Sequence, residues 1–200
     1  ETVTAPLLGI IPLGPFGEVG RRVVAANLQA VLGIGVDILP LQDLPAHTFL
    51  PHRQQYDAAL LVKHLAQMAA QGICSLGDEK TGEPPVPSAP ARRGKGRRGD
   101  PNARPQRQGR EKPGEAEKDR PTGYLRLLGL TRVDLCVPIL TYVFGEAEMG
   151  GRAAVVSNFR LHANDDGSTA PLDRYYERLA KVALHEVAHT LSAYHCDDPT

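Results

Sequence analysis

Near the end of the 200-residue chain, three histidines and a glutamate crowd into the run L-H-E-V-A-H-T-L-S-A-Y-H-C, from Leu184 to Cys196. If the stretch from Tyr175 to Leu191 is helical, His185 and His189 lie one turn apart on the same face and can aim two imidazole nitrogens at one point. Such a pair is half of a zinc site. Tetrahedral zinc in a hydrolase takes three protein ligands and keeps a fourth position open, and His195 completes the three if the helix ends near Ser192 and the chain doubles back. Glu186 points beside the metal rather than at it, which makes it the general base for a zinc-bound water. A lone histidine on a half-apolar helix is ordinarily a packing or surface residue. Three of them with a glutamate in this order ask for a common explanation.

With Cys196 directly following, these residues resemble the HExxHxxGxxHC signature of the archaemetzincins, a branch of the metzincin zinc peptidases. R-Q-Q-Y at Arg53 to Tyr56, L-G-L-T-x-x-D-L at Leu128 to Leu135, V-F-G-E-A at Val143 to Ala147 and V-V-S-N-F-R-L at Val155 to Leu161 are similar to what that family carries in the same order. The resemblance implies a zinc metallopeptidase acting on peptides or proteins, with His185, His189 and His195 as ligands of the catalytic zinc and Glu186 as the base. It also implies that Cys196 is the first ligand of a second, structural zinc. The family pattern completes that site with a later cysteine and a CxxC pair, beyond a methionine turn. This chain stops at Thr200 and is read as C-terminally truncated. The family has glycine where Ser192 stands; glycine reaches positive φ without strain, so Ser192 is expected to strain the turn or re-aim His195.

The elements that must position these residues follow from periodicity. Leu7 to Pro12 is a short apolar run closed by proline and glycine, the mark of a buried strand. Val19, Val23, Val24, Leu28, Val31 and Leu32 recur at helical spacing between Phe16 and Leu32, and Gly33 and Gly35 end the helix. Val36 to Leu39 is a second strand, so the order is βαβ, with some parallel pairing. Gly14 to Glu18 lacks the lysine and the glycine spacing of a phosphate loop and reads as the turn into the helix. Pro40 to Pro51 is a loop, and Arg53 to Ala70 reads as a second helix with Tyr56, Leu60, Leu61, Leu65 and Met68 inward. Leu125 to Leu130, Leu135 to Leu140 or Phe144, and Arg152 to Leu161 are further strands. Asp173 is placed to cap the last helix, whose inward face carries Tyr176, Leu179, Ala180, Val182 and Ala183.

The fold class is therefore α/β: a twisted mixed sheet of about five strands, two backing helices and the HExxH helix. The resemblance makes it a metzincin-like zincin fold and gives Ala153 to Arg160 as the sheet edge that holds an extended peptide. Residues 1–81 and 122–200 form the catalytic domain. Between them, 82–121 is rich in Pro, Gly and Arg and nearly free of large apolar residues, the composition of a disordered insert. Its basic part, Arg92 to Arg120, suits RNA, DNA or an acidic partner, but without aromatics for base stacking it reads better as a solvated insertion.

Bulk properties exclude little else. The charges balance, 23 basic against 23 acidic residues, which demands no nucleic-acid or membrane partner. Nowhere do about 18 apolar residues run together as a membrane span requires. Cys74, Cys136 and Cys196 are odd in number and widely spaced, which argues for a reducing, cytoplasmic setting and for plain buried thiols at Cys74 and Cys136. His47, His52 and His64 lack ligand spacing, and His162, Asp165 and Asp166 sit in a loop whose Asn, Asp and Gly read as turn chemistry. A monomer is expected. The rival reading is a degenerate module that binds zinc weakly and acts through a partner or its basic insert.

Overall fold

The computed structural model describes residues 8–71, 124–164 and 166–195. Strand β1 (Leu8–Leu13), helix α1 (Glu18–Leu32) and strand β2 (Val36–Ile38) form the expected βαβ unit, with β1 and β2 parallel. The helix stops at Gly33, whose φ of 64° lets its amide turn back to the Gln29 carbonyl, a geometry that favours glycine. Its buried stripe is Gly20, Val24, Ala25 and Leu28. Val19 and Val31, expected inside, are 57% and 60% exposed. The stripe is narrow because α1 packs closely along this ridge; a Cβ added at Gly20 would lie 3.4 Å from Leu179 of the last helix.

The main sheet has the order β2-β1-β5-β9-β8, where β5 is Arg126–Thr131, β8 is Gly145–Ala147 and β9 is Ala153–Ser157. β1, β5 and β9 run parallel, and β8 closes the edge antiparallel to β9. Alternation along each strand separates two cores. Leu8, Ile10, Leu128, Leu130, Ala154 and Val156 face one side, under α1 and the last helix, α3 (Leu172–Thr190). Ile11, Leu13, Leu127, Ala153 and Val155 face the other, under α2 (Ala58–Ala70). Each fully buried Leu or Ile here contributes about 1.5–3 kcal/mol.

Four expectations are corrected. The strand read over Leu135 to Phe144 is a hairpin, β6 (Leu135–Val137) and β7 (Leu140–Val143), and it joins a second sheet of order β3-β4-β6-β7 with β3 (Phe49–Leu50) and β4 (Gln55–Asp57). So the expected loop at Pro40 to Pro51 holds a one-turn 3₁₀ helix, Ala46–Thr48, and a short strand. Second, α2 starts at Ala58 rather than Arg53. Gln54 stands at φ 54°, and Asp57 accepts the Leu60 amide at 3.1 Å as N-cap, a stronger start signal than the apolar spacing before it. Tyr56 thus belongs to β4. Third, β9 is no sheet edge, being flanked by β5 and β8; the edge is β8. Fourth, α3 is preceded by Pro171, and Asp173 lies inside the first turn without capping it, though its charge still favours that helix end.

One guanidinium organises the second sheet. Arg53 donates Nε to Gln55 Oε1 at 3.0 Å, Nη1 to the Val137 carbonyl at 3.3 Å, and Nη2 to the carbonyls of Leu140 and Thr141 at 2.7 and 2.9 Å. It holds the hairpin closed across Pro138 and Ile139. Asp134 adds a second tie, accepting two bonds from Arg160 at 2.7 and 2.6 Å and one from Gln55 at 2.8 Å.

The expected insert at 82–121 lies outside the described residues. Among those described, no helix is long and apolar enough to cross a membrane.

Candidate metal centre

Helix α3 presents its apolar residues Tyr175, Leu179, Ala183 and Val187 to the core, which leaves His185 and His189 together on the flank. Tyr175 is anchored by Asn158, which donates to its hydroxyl at 2.8 Å. Of the inner positions read from the sequence, Leu179, Ala180 and Ala183 are buried and Tyr176 and Val182 partly so.

The helix ends as the histidine spacing requires. Ser192 donates its amide to the His189 carbonyl and Ala193 donates to Ala188, both at 3.0 Å, and Ser192 takes φ 66°. These two bonds around a left-handed residue are a Schellman motif, with serine where glycine is preferred. The turn is strained, as expected, but His195 is not re-aimed. Its Nε2 lies 3.1 Å from His185 Nε2, and His189 Nε2 lies 3.0 Å from the same atom. The Ala193 carbonyl also receives His189 Nδ1–H at 2.8 Å, which leaves Nε2 with the free lone pair.

Three imidazole nitrogens facing one another cannot all be hydrogen-bonded; each pair has one proton at most to share. A common cation resolves the conflict. Zinc–nitrogen bonds of about 2.05 Å set a tetrahedral edge of about 3.3 Å, close to the spacings observed, so the donor set fits zinc. Among the described residues this is the one His/Cys/Asp/Glu group whose ligand atoms converge in this way. Burial, then the charges of His189 and His195, lower the pKa of His185, which favours the neutral form that ligation needs.

Glu186 is not among the converging ligand atoms and shares a cavity lining with His185. It is 8% exposed, and burial, helped by Glu146 on β8, pushes its pKa up to about 7. Glu146 is itself raised, first by burial and then by Asp57, against the lowering influence of His189. The strand facing Glu186 is Gly145 of β8: a Cβ there would lie 2.6 Å from Glu186 Cγ and 2.8 Å from the Val155 carbonyl. Beside this contact opens a cavity of about 590 Å³ lined by Tyr142, Phe144, Gly145, Lys181, His185 and Glu186. Arg160, already bound to Asp134, stacks over the Tyr142 ring at 4.2 Å.

Gly145, Tyr142 and Arg160 are not among the site residues expected from the sequence, although Gly145 lies in V-F-G-E-A and Arg160 in V-V-S-N-F-R-L. Their local spacing assigns them no role; β7 and β8 carry Tyr142 and Gly145 to the cavity beside α3, and Arg160, just after β9, reaches the Tyr142 ring. The remaining candidates stay apart from the site. His47 and His64 make only a ring contact at 6.2 Å between centroids. His162 stacks on Tyr175 at 4.1 Å, and Asp166 accepts the Ser168 amide and hydroxyl at 2.9 and 2.6 Å, the turn role expected for that loop. Cys136 is a buried thiol, as expected; Cys74, Asp165 and Cys196 lie outside the described residues.

No protein-family model matches the chain, but individual proteins do. The archaemetzincin of Halobacterium salinarum is 30% identical over 166 residues, covering 82% of this chain and 82% of that protein. The archaemetzincin of Archaeoglobus fulgidus is 44% identical over 71 residues, 36% of this chain, and the matched stretch spans 41% of that relative's length. Among solved structures, a zinc-dependent peptidase from Methanocorpusculum labreanum superposes with a TM-score of 0.60 at 23% identity, over 96% of this chain and 84% of that one. At that identity the likeness is one of fold.

Proposed function

Because the chain belongs to the archaemetzincin family, we propose that it is a zinc-dependent peptidase in which His185, His189 and His195 hold the metal and Glu186 handles the proton. The observation that carries this reading is the convergence of three Nε2 atoms, at 3.0 and 3.1 Å, beside a buried carboxyl. Zinc bound there supplies Lewis acidity, lowering the pKa of a water and polarising a carbonyl.

The chain's own residues supply the rest. Glu186 in its ionised form takes a proton from the attacking water, and in its protonated form passes that proton to the leaving amine. Burial and Glu146 raise its pKa, which favours holding the proton, while a nearby dication lowers it, which favours the ionised form that takes one. Gly145 leaves room for the carboxyl, and the outer side of β8 is a strand edge on which an extended peptide can pair. Tyr142 and Phe144 provide an apolar wall for a substrate side chain. Cys196 is proposed as the first ligand of a second, structural zinc, and the protein as a cytoplasmic monomer, in line with its few, widely spaced cysteines.

The test is metal content by mass spectrometry after dialysis against a weak chelator, with cleavage of a peptide mixture followed in parallel. Near-stoichiometric zinc is expected, lost in His189→Ala and retained in Glu186→Ala, with cleavage abolished in both. Loss of zinc from Glu186→Ala would make that residue a ligand and overturn the assignment. Zinc without cleavage in the unmodified chain would favour the binding module.

A further inference from the structure

The last turn of α3 is closed by groups from a distant part of the sequence. β8 and β9 are joined by a tight turn in which the Gly151 amide donates to the Glu148 carbonyl at 2.9 Å and Gly150 takes φ 64°, as the third residue of a type II turn requires. The Gly150 amide points away from its own turn and donates to the His189 carbonyl at 2.8 Å. Arg126 of β5 donates Nε to the next carbonyl, that of Thr190, at 3.2 Å. Both carbonyls belong to the set that a helix C-terminus leaves without intrahelical partners. A side chain at 150 would be strained by the φ of 64° and would press on the turn: its Cβ would lie 2.8 Å from Ser192 Oγ, which would have to rotate away. Ser192 is the left-handed residue on which the reversal toward His195 depends, so loop and turn are fitted to each other.

We infer that Gly150, together with Arg126, positions the third metal ligand: the two donors hold the end of α3, and the missing Cβ leaves Ser192 the space in which it turns His195 back toward His185 and His189. Neither residue touches metal or substrate. The inference rests on the proposed zinc site.

Zinc affinity by competition with a chromogenic chelator, and the visible spectrum of the cobalt(II) form, read the site without any substrate. Gly150→Ala is expected to weaken zinc by about tenfold or more, the range for losing a group that orients a ligand, and to alter the cobalt spectrum as His195 withdraws. Adding Ser192→Gly removes the hydroxyl that the new methyl meets and is expected to recover part of the loss, the left-handed strain of alanine at φ 64° remaining. A general loosening of the loop would not be recovered in this way, so weakening that Ser192→Gly fails to relieve overturns the inference. Arg126→Met, which leaves the glycine turn intact, is the second variant and is expected to weaken zinc in the same direction, with folding checked by circular dichroism. Unchanged affinity in both Gly150→Ala and Arg126→Met also overturns the inference and leaves the metal site standing. If the unmodified chain takes up neither ion, the metal reading and the inference fall together.

Discussion

Gly145→Ala separates the proton-handling residue from the metal. The new methyl would lie 2.6 Å from Glu186 Cγ, 2.9 Å from its Cδ and 2.8 Å from the Val155 carbonyl. Carbon atoms settle at about 3.5 Å or more, so something must give by roughly 1 Å. The Val155 carbonyl belongs to the paired backbone of β9, held between two neighbours, and yields little. Glu186, at the end of two rotatable bonds, is the part that moves. Overpacking of this kind costs about 1–3 kcal/mol, and at about 2–4 °C per kcal/mol for a chain of this size the melting temperature should fall by about 2–12 °C. The atoms nearest the new methyl belong to Glu186 and Val155 rather than to the histidines, so zinc content should stay near that of the unmodified chain. A catalytic group displaced by about 1 Å costs on the order of 100-fold in rate. Measured together, zinc content, melting temperature and kcat/KM on a cleaved peptide should give metal retained, modest destabilisation and a rate lower by about two orders of magnitude. Full turnover with full metal would refute the claim that Gly145 exists to seat Glu186.

Two further perturbations test the supports of the site. Ser192→Gly removes left-handed strain of about 1–2 kcal/mol and adds unfolded-state freedom of about 0.4–1 kcal/mol. Urea unfolding of the metal-free chain should therefore show equal or slightly greater stability, and a clear loss would contradict the strained-turn account. Asp134→Asn removes the charge that Arg160 and Gln55 surround. Burial alone would raise the pKa of Asp134, but the hydrogen bonds from Arg160 and Gln55 and the charge of Arg160 outweigh it and leave the value lowered. A lowered folded value means that the stabilisation is complete above the ordinary aspartate pKa of about 3.9 and fades as pH falls through the folded value. The variant should thus be less stable by about 1–3 kcal/mol at pH 7, with the gap closing in acid. A gap that stays constant down to the acid end would show that Asp134 acts by shape rather than charge.

What the sequence determined by itself is what short-range geometry determines. Four residues along a helix is about one turn, so His185 and His189 had to share a face, and Glu186 had to lie beside them rather than between their nitrogens. The βαβ unit was legible for the same reason: the spacing of Val24 and Leu28 and the stop at Gly33 are matters of the chain's own repeat. Ser192 sits at the border, since a left-handed turn was expected there, but whether serine would carry His195 to its place depended on the space left by Gly150, 42 residues upstream. Tertiary structure alone decided the rest. A run such as Leu135 to Phe144 has the same apolar character in either sheet; Arg53, reaching carbonyls more than 80 residues away, and the Asp134–Arg160 pair put it in the second. β8 is too short to announce itself, yet it forms the edge of the main sheet and brings Gly145 against Glu186. The ligands are local because a helix places them, whereas the walls, the close contacts and the groups that hold the ligands come from segments that meet only when the sheet is complete.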